Sequence, residues 1–381
     1  MKKILLVLES RASYGYSKNL IQILEKDKKF KIKTVVTGTH LSKELGYSVK
    51  NLETDNIKID YKLHFDNKNL VNGIGNLIVS SNKVINNFKP NIVLIFGDRV
   101  ELIPFAIACS YRNDVLLAHV QAGDRSGHID DMTRMALAKL SHIHFPATKI
   151  AKKRLIKLGE QNKRIFLVGA PQLDDINYKE LSKIDHLKIG KKFYNLKNEK
   201  YFVLLQHPVF KNQNKYLSLF KKTIDASSKF YKKIFIIYPN YDPGYKPILK
   251  FLKNQKNKKK FIIIKNLERQ KFLALVLNSY CLIGNSSAGL LESPSLKIPV
   301  VNIGDRQIYR EQNNNILNAK YTTQDIYKKI SKAQKMKNKL KNIKNIHGDG
   351  KSSKRIYQVL KKIRINQFFL NKDTTYWLKI W

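Results

Sequence analysis

Cysteine is nearly missing from this chain: Cys109 and Cys281 are the two present in 381 residues. Both lie in apolar runs, so a disulfide-stapled scaffold is excluded and the thiols read as small core residues of a reducing compartment. No Cys/His spacing matches a zinc site, so no metal is expected. Long apolar runs are missing too. Nothing approaches the roughly 18 residues of a spanning helix. The run Ile4–Leu8 behind Lys2 and Lys3 is too short for a secretory signal, and Glu9 and Arg11 follow at once. The expectation is a cytoplasmic protein with no membrane partner. Acidic residues are scarce, 29 Asp and Glu against 72 Lys and Arg, for a formal net charge of +43. Such a charge would suit nucleic acid. The lysines, however, run through the whole chain among Ile and Asn, a mark of A/T-rich codon usage. No helix-turn-helix or RNA-binding signature accompanies them, so no nucleic-acid partner is expected. A diffuse positive field would still draw an anionic small substrate, more strongly at low salt.

What is present is enough apolar residue for two cores: 43% hydrophobic over a length that suits two domains. Short apolar runs at 4–8, 31–38, 91–97, 115–120, 142–146 and 165–169 read as strands. Between them fall a turn plus helix at 10–26 and helical spacing at 70–87, 101–112, 133–140 and 148–158. A Lys-rich stretch near 177–199 reads as a linker. The pattern then restarts with strands at 201–206, 233–239 and 261–266, helices at 215–230, 245–254 and 268–278, a strand–turn–helix–strand unit at 281–303, and a helix near 324–343. Nearly unbroken apolar strands alternating with helices predict parallel, doubly wound sheets. The fold class is α/β: two Rossmann-like domains, 1–176 and 177–364, with a cleft between the carboxyl ends of their strands where ligands of such folds bind. The tail 365–381, which holds both tryptophans, is expected to pack back on the first domain.

The polar residues that carry chemistry cluster just after strands. In 281–303, a strand ending at Ile283 meets the small turn Gly284-Asn285-Ser286-Ser287, and a short helix opens at Ala288. Unpaired N–H groups and the helix dipole make such a turn a phosphate site, and Glu292 could accept bonds from ribose hydroxyls. The alternative is an ordinary serine-capped αβ turn. Ser10-Arg11 follows the first strand and puts a permanent cation there, for phosphate or as surface charge. Gly38-Thr39-His40 follows the second. Asp98 follows the strand 91–97 as a general base or a helix N-cap. Gln121 and Asp124 follow the strand 115–120, with Asp130 and Arg134 four apart on one helix face. His207 follows the strand 201–206, where it could donate to a phosphate or leaving oxygen. Asp242 and Gly244 are weaker candidates for contacts to base or ribose.

The segments SRASYGY, TGTHL, FGDRVE, HVQAGDRSGHIDDMTR, QHP, IGNSSAGLLESPSLKIPVVNIGDRQ and GDGKSS, in that order over roughly 1–362, resemble the UDP-N-acetylglucosamine 2-epimerases of the hydrolysing branch. The resemblance implies a GT-B-like fold, a C-terminal segment that crosses back to the first domain, and a homo-oligomer, dimer or tetramer. It implies conversion of UDP-N-acetylglucosamine and water to N-acetylmannosamine and UDP through a glycal intermediate, without metal or NAD, on the route to sialic-type acids. By matched position, Asp98 and Asp130 are the acidic catalytic pair, Arg134 their partner, His207 the histidine near the leaving phosphate and Arg11 a nucleotide contact. Ser286, Ser287 and Gly289 match the phosphate loop, and Glu292 the ribose ligand. One departure is Gln121, where many members carry Glu. Gln cannot act as a base, so either Asp124 takes over or Asp98 and Asp130 suffice. Gln here also suits relatives acting on other nucleotide sugars, such as a GDP-linked diacetamido-trideoxyhexose. A GT-B glycosyltransferase is the competing enzyme class.

Overall fold

A computed structural model describes residues 1–372 apart from 43–46, 67, 128–129, 210–214, 240–243 and 256–258. The chain divides into two compact units. One is Met1–Arg125, Ile129–Asp174 and His347–Trp381, the other Ser126–His128 and Asp175–Ile346.

The first unit holds β1 (Lys2–Leu8), α1 (Arg11–Lys26), β2 (Phe30–Val36), α2 (Val49–Thr54), β3 (Tyr61–Lys62), α3 (Leu70–Phe88), β4 (Ile92–Phe96), α4 (Ile103–Ser110), β5 (Leu116–Val120), α5 (Asp130–Leu140), β6 (Ile143–Phe145) and α6 (Lys149–Lys157). Its strands are all parallel, in the order β3-β2-β1-β4-β5-β6. Alternate residues of a strand feed opposite layers. Ile4, Leu6 and Leu8 pack with α1, while Leu5 and Val7 pack under α3 and α4. That double cover is why β1, β4 and β5 are apolar almost throughout.

The second unit begins with α7 (Tyr178–Lys183) and an antiparallel hairpin, β7 (His186–Ile189) with β8 (Lys192–Asn195). Then come β9 (Tyr201–Leu205), α8 (Tyr216–Ser228), β10 (Lys233–Ile237), α9 (Tyr245–Asn254), β11 (Phe261–Ile264), α10 (Arg269–Asn278), β12 (Leu282–Gly284), α11 (Ser287–Leu291), β13 (Val300–Ile303), β14 (Ile316–Ala319) and α12 (Thr323–Met336). The six strands from β9 onward repeat the order of the first unit, β11-β10-β9-β12-β13-β14. Both six-stranded sheets therefore share one winding, which reverses beside the first strand of each sheet, β1 and β9. Two more helices, α13 (Ser352–Lys362) and α14 (Gln367–Leu370), belong to the first unit.

Three expectations are corrected. Residues 177–199 are not a linker: Leu181, Leu187 and Leu196 are buried against the second sheet. Residues 165–169 form no strand, only a single bridge from Ile165 to His144. The stretch 347–364, expected in the second domain, belongs to the first. The Asp174 carboxylate caps α13 through the N–H groups of Ser352 and Ser353. Ile356 and Leu360 enter the first core, and Lys2 Nζ holds the last carbonyls of α13 at 2.6–2.8 Å. Among the described residues no helix is long and apolar enough to cross a membrane.

Candidate active site

In the first unit, the residues expected to act on a substrate stand at the strand ends around the winding reversal between β1 and β4. Glu9 and Ser10 close β1. Ser10 and Ser13 cap α1 reciprocally, which sets Arg11 as the first residue of that helix, exposed. Gly97 and Asp98 close β4. The short helical turn after them begins at Val100 with Arg99 at its cap, so Asp98 does not serve as that cap. Its carboxylate instead accepts from Arg134 of α5. The Arg134 side chain is only 2% exposed. It also donates to Asp131 at 2.5 Å and to the carbonyl of Asp124 at 3.2 Å. One buried guanidinium thus gathers the ends of β4 and β5 and the start of α5. Asp130 lies half-buried on the first turn of α5, and Asp124 is buried.

The surroundings hold this constellation still. His119 of β5 is buried, which drives its pKa down to about 4. Its Nε2 lies 2.6 Å from the carbonyl of Gly97 and must donate there, so a neutral imidazole fixes the turn that carries Asp98. Gln121 sits in the left-handed region (φ 62°) and donates to Gln172 at 2.8 Å. Its side chain is committed to a buried amide pair, as suits a support rather than a base. Beneath lie two buried carboxylates. Glu101 is held by Arg99 at 3.0 Å. Glu9 is pushed up to about 7 by burial and by the Glu101 charge, against the pull of Arg99, Ser13 and Ser10. A Cβ on Gly38 would stand 2.9 Å from both the Glu101 carboxylate and the Glu9 carbonyl, which explains glycine there.

In the second unit the counterpart is the reversal between β9 and β12. Gly284 ends β12 with φ 137°, and a Cβ would lie 2.0 Å from the carbonyl of Leu205 on β9. Only glycine lets those strand ends come so close. Asn285 then ties them together: its Oδ1 accepts from the His207 N–H at 2.7 Å, and its Nδ2 donates to the His207 carbonyl at 2.9 Å. The Asn285 carbonyl accepts from Gln307 at 3.2 Å and Arg306 at 3.3 Å. His207 and Ser286 are buried beside it. Ser286 caps α11, while Ser287 is half-buried and Gly289 buried. α11 has five residues, so its dipole is smaller than the sequence reading assumed. What the turn offers an anion is hydroxyl and N–H groups more than helix field.

Glu292 closes α11 and pairs with Arg269 at 2.6 Å, which also reaches Asp175 at 2.6 Å. Burial pushes the Glu292 carboxyl up, and Arg269 opposes that. Sequence alone singles out neither Arg269 nor Gln172, and it gives Asp131 and Asn285 no role of their own. Arg269 and Gln172 are single polar residues, tied to Asp175 and Gln121 at 94 and 51 positions' distance. Asp131 lies three positions before Arg134, and the i,i+4 spacing favours Asp130 on sequence grounds, yet it is Asp131 that Arg134 holds at 2.5 Å. Asp242 lies outside the described residues.

A family model described as UDP-N-acetylglucosamine 2-epimerase matches residues 22–361. A Legionella pneumophila protein named UDP-N,N'-diacetylbacillosamine 2-epimerase (hydrolyzing) is 33% identical over 381 residues, covering 99% of this chain and 100% of that one. A Campylobacter jejuni protein named GDP/UDP-N,N'-diacetylbacillosamine 2-epimerase (hydrolyzing) is 32% identical over 340 residues, 85% of this chain and 86% of that one. Among solved structures, the UDP-GlcNAc 2-epimerase from Neisseria meningitidis bound to UDP-GlcNAc superposes with a TM-score of 0.80 at 23% identity, covering 95% of this chain and 100% of that one.

Proposed function

The chain belongs to the UDP-N-acetylglucosamine 2-epimerase family, and from that premise we propose that it is a hydrolysing 2-epimerase of a nucleotide-linked 2-acetamido sugar. The reaction proposed is UDP-N-acetylglucosamine plus water to N-acetylmannosamine plus UDP, in sialic-type acid synthesis. A carboxylate takes the C2 proton while the C1–O bond to the diphosphate breaks and UDP departs with the bonding pair. Water then adds its hydroxyl to C1 of the glycal, and C2 is reprotonated from the other face. The observation that carries this reading is the Arg134 hub. It keeps Asp98, Asp131 and the Asp124 backbone together, and Asp130 shares the same helix turn. This supplies the acid–base groups that a C2 inversion needs. Asp98 and Asp130 are assigned the proton transfers, with Asp124 beside them and Gln121 as a support. His207, Ser286, Ser287 and Gly289 are assigned to the diphosphate, Arg11 to the nucleotide and Glu292 to the ribose. Donors at the departing phosphate stabilise the charge that grows there.

A second reading keeps the chemistry and changes the sugar to a 2,4-diacetamido-2,4,6-trideoxyhexose on UDP or GDP. The full-length Legionella pneumophila relative and Gln121 in its amide pair favour it.

The test is incubation with each nucleotide sugar and no acceptor, with the products identified by NMR. Release of nucleoside diphosphate with the free 2-epimer supports the reading, and the better substrate decides between the two sugars. Nucleotide sugars returned intact would sink it. Replacing Asp98 with Asn should cut kcat by roughly 10² or more, the scale of a lost acid or base, while the Kd for UDP stays within a few-fold. Unchanged turnover would remove Asp98 from the mechanism.

A further inference from the structure

Two largely buried carboxylates of the second unit share one cation. Arg269, the first residue of α10, grips Asp175 with a planar fork, Nε to Oδ2 at 2.6 Å and Nη2 to Oδ1 at 3.0 Å. The third nitrogen of the same guanidinium, Nη1, donates to Oε1 of Glu292 at 2.6 Å. The next residue, Gln270, donates to the Asp175 carbonyl at 3.3 Å, so Asp175 and the start of α10 are joined twice. Arg269 thus has one edge fixed and the other on Glu292.

A staple between α10 and Asp175 needs no second carboxylate, and Glu292 is badly placed to be one. It stands at the C-terminal cap of α11, where the helix carbonyls oppose an anion. Its side chain is only 9% exposed, and burial disfavours the charged form. The turn does not depend on the carboxylate either. The backbone holds it, with the Glu292 N–H on the Ala288 carbonyl at 3.0 Å and the Leu296 N–H on the Glu292 carbonyl at 3.2 Å. Arg269 takes Oε1, and among the described residues no donor reaches Oε2. A buried acceptor that its own chain leaves without a donor is open to one from outside. Ribose hydroxyls are donors of that kind.

We infer that Arg269 is a positioning residue of the nucleotide site: clamped by Asp175, it holds the Glu292 carboxylate in one pose and leaves Oε2 for a ribose hydroxyl. The inference rests on the ribose role assigned to Glu292 above. Arginine suits the task where lysine does not. A planar guanidinium meets two carboxylates at once in fixed directions, whereas an ammonium on a flexible stem fixes neither. The cation also offsets the cost of burying the acid, which keeps Glu292 an acceptor rather than a donor. Arg269 acts through Glu292, so its loss is felt at the ribose and not at the diphosphate.

The experiment is calorimetric titration of the full chain with UDP, with GDP and with their dideoxy forms, which lack both ribose hydroxyls. The proteins are wild type, Glu292→Ala, Arg269→Met and Arg269→Lys. The quantity read is the ratio of Kd for the dideoxy form to Kd for the parent, taken on whichever base binds more tightly. Wild type should favour the parent by roughly tenfold or more, the scale of a hydrogen bond to a charged group. Arg269→Met should bring the ratio to within about threefold of unity, as Glu292→Ala does. Arg269→Lys keeps a cation and should fall between, and it guards against a methionine variant that does not fold. A role confined to stability weakens parent and dideoxy form alike and leaves the ratio unmoved, and that result overturns the inference. A ratio lost in Glu292→Ala but kept in the Arg269 variants overturns it with the ribose reading intact. A ratio kept in Glu292→Ala, or a wild type that binds neither nucleotide, removes the ribose reading and this inference with it.

Discussion

At the scale of residues, the site is organised by who pairs with Arg134. Its guanidinium was foreseeable as a partner of an acid on its own helix. That it reaches Asp98, 36 positions earlier, depends on β4 and α5 meeting in space. Asp98 itself was legible, because a carboxylate directly after a buried strand has few structural duties. Glu9 was not, because a glutamate following ILLVL reads as the edge of a strand. It is buried, with its carboxyl raised from 4.5 to about 7 by burial and Glu101. The sign follows from the direction of that shift. Between about pH 4.5 and 7 the folded protein holds a proton that the unfolded chain has released. Its stability therefore falls as pH rises through that window. Glu9→Gln stays neutral throughout. Its thermal midpoint should match wild type near pH 5 and exceed it by a few degrees at pH 8, the shift corresponding to a few kcal/mol at most. Parallel curves for the two proteins between pH 5 and 8 would show that Glu9 is ionised without penalty.

At the scale of elements, each sheet brings its reactive turns to the place where the winding reverses. Strand existence was readable from apolar runs of five to eight residues. Two misreadings share one cause. Residues 165–169 are apolar but stand beyond β6, whose three residues leave little edge to extend. Residues 177–199 look polar because α7 and the β7–β8 hairpin are covered on one side alone, with Leu181, Leu187 and Leu196 inside. Pattern reports burial, and half-buried elements at an edge report it weakly. At Gly284 the end of β12 comes so close to β9 that there is no room for a side chain. Gly284→Ala should destabilise the protein by several kcal/mol, since a methyl would collide with the Leu205 carbonyl and the backbone there is left-handed. A urea midpoint within error of wild type would mean that the strand ends can separate freely.

At the scale of the whole molecule, the chain leaves the first unit after Asp174 and returns to it at His347. The return is secured by buried donors. Arg164, fully buried, donates to the carbonyls of Phe369 and Asn371 at 2.8 Å and also to that of Phe368. Lys372 donates to the carbonyls of Lys139 at 2.7 Å and Ser141 at 2.9 Å, and pairs with buried Glu160 at 2.6 Å. Burial pulls Lys372 down to about 8, a desolvation cost that the pairing offsets. Lys372→Met should speed amide exchange across 366–371 by roughly tenfold or more, the scale of about 1.4 kcal/mol of lost anchoring. Exchange unchanged there would assign the anchoring to Arg164 alone.

Some of this was decided along the chain itself. Strand and helix alternation, the two-fold repetition of the pattern, and the polar turns after strands are local properties. Side-chain period and chain chemistry express them without reference to distant residues. Pairing is a different kind of property. Arg134 with Asp98, Asn285 with His207, Gln121 with Gln172 and α13 with the first sheet join positions far apart in the chain. No local preference selects one partner over another among so many lysines and asparagines. Packing alone brought each pair within bonding distance.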